Sequence, residues 1–142
     1  MKFLLLTLIF SISLVTNEVW AGKSEPEFEK FEIASGGGFT GFVQGYKVKS
    51  NGNLYRCEGI GNCSKDSLVK KLSKREMNKL KKILKKANLF KYKLQEPGNT
   101  WHSMSMTNRG TTHTIIWNPY SSSKTVEFLN KVYTEINSLF NK

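Results

Sequence analysis

Four glycines stand within six positions in Ser35-Gly36-Gly37-Gly38-Phe39-Thr40-Gly41, and this segment restricts the fold of the chain more than any other. Glycine loses more conformational entropy on folding than any other residue, and what it gains is access to φ > 0 or close approach by another backbone. The segment therefore serves as a sharp connection, as a contact loop, or as both. Its flanks narrow the choice. Phe31 and Ile33 alternate with Lys30, Glu32 and Ala34, and a second strand-like run follows from Phe42 to Lys49, with Gly45 as a bulge inside it. The glycines join two strands.

A third strand is expected over Asn53-Leu54-Tyr55-Arg56-Cys57, and Asn51-Gly52 before it is the pair that a two-residue type I′ hairpin turn favours. Cys57 to Cys63 reads as a glycine-bearing loop. Its Gly59-Ile60-Gly61 lacks the lysine-serine pair and the strand-to-helix setting of a phosphate loop. Leu72-Ser73-Lys74-Arg75-Glu76-Met77 then carries a capping box, Ser73 with Glu76, and a staple pair, Leu72 with Met77. Behind it Met77, Leu80, Ile83, Leu84 and Ala87 form an apolar stripe at helical spacing.

Pro97-Gly98 marks a turn into a second hairpin, Trp101 to Thr107 against Thr111 to Trp117. The last element, from about Ser123 to Phe140, is a helix with Val126, Leu129, Tyr133, Ile136 and Phe140 on one face. The fold expected is α+β: an antiparallel sheet of about five strands with two helices on one face, in the order βββαββα.

The first residues place this domain outside the cytoplasm. Met1-Lys2 precede the apolar run Phe3 to Phe10, and Val19-Trp20-Ala21 supplies a small residue for cleavage, which predicts a secretory signal peptide over 1–21. The apolar core is too short to span a bilayer. No cysteine follows the cut, so the exported chain, periplasmic or secreted, is expected to be soluble and not lipidated. A flexible polar stretch is expected over 22–29 and a single domain over 30–142. In an oxidising compartment Cys57 and Cys63, the only cysteines, most simply form one disulfide.

Catalytic constellations are scarce. His102 and His113 would lie roughly 13 Å apart along paired strands if the hairpin turns at Arg109-Gly110, too far to share a metal. Asp66 is the one aspartate, Glu76 is used as a cap, and no zinc or serine-hydrolase motif is present. Neither an enzyme, a metal nor a cofactor is expected. The net charge of +11 concentrates around the first helix, where Lys81, Lys82, Lys85 and Lys86 offer a face for anionic lipid or polysaccharide of the envelope. Nucleic acid is not expected, since export and the lack of an aromatic row at base-stacking spacing argue against it. Among the aromatics Phe39, Phe42, Trp101, Trp117 and Tyr120, Phe39 has neighbours too small to cover it. An exposed aromatic beside bare backbone suits a partner-binding edge.

Ile33 to Gly41, the helix end Leu80 to Phe90 and the hairpin strand Gly110-Thr111-Thr112-His113-Thr114-Ile115 together resemble the emfourin family, small bacterial inhibitors of thermolysin-like metallopeptidases, and related exported proteins of unassigned function. This chain differs from that pattern by an extra glycine before Phe39, the Asn51-Gly52 hairpin, the cysteine pair and the leader. Asn99 and Trp101 also stand where an acidic residue and a tyrosine are expected. The resemblance implies a binding protein without cofactor that docks on a peptidase, with Gly36, Gly37, Gly38, Phe39, Thr40 and Gly41 as the contact segment. The other reading is a cationic envelope protein acting through its lysine-rich helix.

Overall fold

The computed structural model describes residues 27–142. The signal peptide expected over 1–21, with the first part of the flexible stretch, lies outside the described residues. Structure begins ahead of the expected start at Lys30, because Phe28 is buried against Phe31 and the Glu29 amide donates to Thr107 O at 2.8 Å.

In chain order the strands and helices are β1 (Lys30–Gly37), β2 (Phe42–Lys49), β3 (Asn53–Ile60), β4 (Lys65–Lys71), α1 (Lys74–Ala87), β5 (Gln95–Glu96), β6 (Thr100–Asn108), β7 (Thr111–Trp117) and α2 (Lys124–Phe140). They form one seven-stranded sheet in the order β4-β3-β2-β1-β6-β7-β5. Every neighbouring pair is antiparallel except β5 with β7. The class is α+β, as expected. The order is ββββαβββα, not βββαββα, since β4 and β5 are strands beyond the five expected.

Two turns exchange roles. The expected type I′ turn at Asn51-Gly52 is a three-residue connection in which Gly52 N donates to Lys49 O at 2.9 Å and only Gly52 has positive φ. The two-residue turn with both φ values positive is Arg109-Gly110, with Asn108 opposite Thr111. β3 also runs past Cys57 to Ile60, so the loop between the cysteines is shorter than expected.

Local chemistry explains both helices. Ser73 Oγ accepts from the Glu76 amide at 3.2 Å while the Glu76 carboxylate accepts from the Ser73 amide at 2.7 Å, and these two bonds hold the start of α1. Ser73 and Lys70 keep that carboxyl below its ordinary value. Ser123 Oγ caps α2 through the Val126 amide. Leu80, Ile83, Leu84 and Ala87 of α1 and Val126, Leu129, Ile136 and Phe140 of α2 bury their stripes on one sheet face, against Phe31, Ile33, Val48, Leu54, Met104, Ile115 and Trp117. Among the described residues no helix is long and apolar enough to cross a membrane.

The opposite face carries a smaller cluster, Ala34, Val43, Cys57 and Cys63, with Trp101 packed on it. Cys57 and Cys63 form the disulfide, their Cα atoms 5.1 Å apart. It ties the end of β3 to the chain entering β4, and Lys47 adds an ion pair to Asp66 at 2.8 Å. For so short a loop the restriction of the unfolded chain amounts to about 2 kcal/mol. Replacing both cysteines by serine should lower the unfolding free energy by that amount, read as a fall in the urea midpoint with the slope little changed. A midpoint that does not move would mean that the Lys47 and strand contacts hold β4 unaided.

Candidate functional site

The glycine segment divides into a packed base and an open tip. At the base, a Cβ on residue 36 would lie 2.6 Å from Trp101 Cζ2, and one on residue 37 would lie 2.1 Å from Asn99 O. These two glycines let the Trp101 ring and the 99–100 backbone close on β1. At the tip, Gly38 and Gly41 have φ of +74° and +63° and open space where a Cβ would go. Gly41 N donates to Gly38 O at 3.3 Å and closes a four-residue turn with Phe39 and Thr40 at its centre. Both legs are pinned from outside the hairpin: Gly38 N donates to Asn99 O at 2.7 Å, and Gly61 N donates to Gly41 O at 2.8 Å.

Phe39 is fully exposed on this turn, at 110% of its reference area. Phe42, Ile60 and Tyr120 are exposed as well, Phe42 paired with Ile60 across β2 and β3, so the glycine end of the sheet carries an apolar surface. The other aromatics singled out in the sequence have packing roles. Trp117 is fully buried, its Nε1 donating to Asn130 Oδ1 at 2.8 Å, and Trp101 covers Gly36 on the opposite sheet face.

Beside this end lies a feature the linear sequence does not display. On the helix-facing side the strands align Leu54, Val48, Phe31, Met106 and His113 in one cross-strand row, and Arg56, Tyr46, Ile33, Met104 and Ile115 in the next. The third row, toward the glycines, is Glu58, Gln44, Ser35, His102 and Trp117. The inward series of β1, β2 and β6 thus turns polar at the same level. Each change is visible in its own strand, yet only the hairpin registers reveal that the three coincide.

Above this row sits a cavity of about 430 Å³ bordered by Ser35, Gln44, Tyr46, Arg56, His102, Tyr133 and Asn137. A second hollow of about 310 Å³ shares Ser35, Gln44 and His102 and reaches Phe42, Pro119 and Tyr120. The His102 ring stacks on Tyr133 with centroids 4.1 Å apart and meets Trp117 edge-on at 5.8 Å. Its Nδ1 is buried and has no hydrogen-bond partner among the described residues. Burial pushes the Tyr133 phenol above its ordinary value, an effect partly offset by its hydrogen bond with Ser35.

Burial also holds the His102 imidazolium below its ordinary value of 6.5. The unfolded chain therefore takes up this proton first as pH falls. Stability is complete above about pH 6.5 and declines as pH drops through that value toward the lower folded pKa. In melts between about pH 8 and about pH 5, His102→Gln should flatten this part of the profile. Superimposable profiles would contradict the burial.

The register places His113 opposite Met106, four positions along β6 from His102. His113 Nε2 lies 3.1 Å from Leu89 O and its ring packs on Phe90, a contact that anchors the turn after α1. Among the described residues no group of three or more metal-ligating side chains is present.

The four lysines taken as a polyanion face, Lys81, Lys82, Lys85 and Lys86, all lie on α1, on the side away from its buried stripe of Leu80, Ile83, Leu84 and Ala87. Lys82 and Lys86 border a groove between α1 and α2, with Lys79 and Lys131 on its rim. Lys81 lies on the other flank of α1, beside Glu27, Phe28 and Glu29.

No protein-family model matches this sequence, and no curated protein matches it.

Proposed function

We propose that this protein is a non-enzymatic, exported binding protein whose glycine hairpin enters the cleft of a thermolysin-like metallopeptidase and obstructs it. The observation that carries the reading is a fully exposed phenylalanine on a turn whose two legs are each fixed by a backbone hydrogen bond to another part of the chain. A docking loop held in one conformation before binding loses less entropy on association, and one buried aromatic anchor can supply much of the affinity. Phe42, Ile60 and Tyr120 widen the apolar surface around that anchor. The resemblance of the glycine segment to an inhibitor family supports the same partner.

Titrating the protein, freed of residues 1–21, into a thermolysin-like metallopeptidase should abolish hydrolysis at a fixed stoichiometry. Full activity at a large molar excess, for this and for any peptidase sharing its compartment, would end the reading.

A further inference from the structure

Within the polar row under Tyr133, Ser35 hydrogen-bonds that phenol, whereas the buried His102 Nδ1 has no partner among the described residues. In a sheet covered by helices these inward positions ordinarily carry core residues, and a buried polar group without a partner is destabilising. Here the half-buried Ser35 and His102 and the exposed Gln44 occupy them side by side, and the buried His102 Nδ1 atom is left without a partner among the described residues. Such an orphaned atom in a cavity needs a partner from whatever fills it, water or a ligand able to take the water's place.

The charge of the lining selects the ligand. No carboxylate borders the larger cavity, while Arg56 does. The Arg56 guanidinium makes no ion pair with any described residue, Glu58 two positions along β3 included. Burial keeps His102 neutral near pH 7, so the cavity offers one cation, together with the amide donors of Gln44 and Asn137. One planar guanidinium matches one carboxylate through two parallel hydrogen bonds, whereas a phosphate dianion would be left half neutralised.

The second hollow sets the length. Arg56 pairs with Tyr46, and Phe42 lies four residues further along β2, roughly 13 Å away at strand rise. An extended peptide covers that distance in about four residues. We infer that the groove binds the C-terminal end of a short peptide, its free carboxylate on Arg56, its last amides against Gln44, Asn137 and the orphaned His102 Nδ1, and an apolar side chain at Phe42 and Tyr120. This site is separate from the Phe39 turn, and its test involves no peptidase.

The probe is the tetrapeptide acetyl-Phe-Gly-Gly-Ala with a free carboxylate, compared by calorimetry with its C-terminal amide and with inorganic phosphate. The free acid should bind the full chain at least tenfold more tightly than the amide, and phosphate should not displace it. Arg56 is exposed, so Arg56→Gln should stay folded, which circular dichroism verifies, and should erase the difference between acid and amide. Arg56→Lys keeps the charge without the fork and should retain part of it. Equal binding of acid and amide, displacement by phosphate, an unaltered preference in Arg56→Gln, or no binding of the tetrapeptide would each overturn the assignment.

Discussion

Phe39→Ala should weaken inhibition of the peptidase by about 30-fold or more and leave the melting temperature unchanged. These two outcomes have separate causes. Phe39 is fully exposed, and a Cβ at either flanking glycine, 38 or 41, would meet nothing within 4 Å. The ring therefore buries no surface in the free protein, and its removal leaves no cavity. In a complex the same ring would be the most completely desolvated group of the hairpin. Central aromatic anchors of this kind lose about 2 kcal/mol or more on truncation, which corresponds to about 30-fold. The inhibition constant and a thermal melt of the same preparation read both. An unchanged inhibition constant would remove Phe39 from the interface. A weakened one accompanied by a lowered melting temperature would indicate that the ring acts through the fold.

That separation of fold from contact was partly legible in the sequence, because exposure at Phe39 follows from its glycine neighbours and needs no tertiary information. The same holds for α1 and α2, whose caps at Ser73 and Ser123 and whose apolar stripes are local patterns. β4 was not legible. Its Leu68 and Val69 are adjacent, without alternation, and both are exposed at the sheet edge. What holds this strand is pairing with β3, the disulfide and Lys47, all of them contacts made across the fold. β5 spans two residues and forms through parallel pairing with β7, which no short-range signal announces. The polar cavity escaped for a related reason. Ser35, Gln44 and His102 each read as an ordinary polar position near a strand end, and their alignment depends on two registers at once.

The same division between base and tip predicts that Gly37→Ala and Gly38→Ala differ sharply although the residues are adjacent. At Gly38 only the backbone objects. Its φ of +74° is unfavourable for alanine by about 1 kcal/mol, and the added methyl meets no atom within 4 Å. At Gly37 the φ of +118° is similarly unfavourable, and the new Cβ would also lie 2.1 Å from Asn99 O and 2.7 Å from Thr100 Cα. Both of these are main-chain atoms, so no rotamer change relieves the overlap. β1 and β6 would have to part where Gly37 pairs with Thr100, and the Gly38 to Asn99 hydrogen bond would break with them. A loss of about 3 to 5 kcal/mol is expected, large against the usual 5–15 kcal/mol of a small domain. Urea unfolding of the two variants measures this directly. Near-equal midpoints would mean that the 99–100 backbone does not close on Gly37. The tip would then have one pinned leg instead of two, and the case for a preorganised docking turn would lose its physical basis.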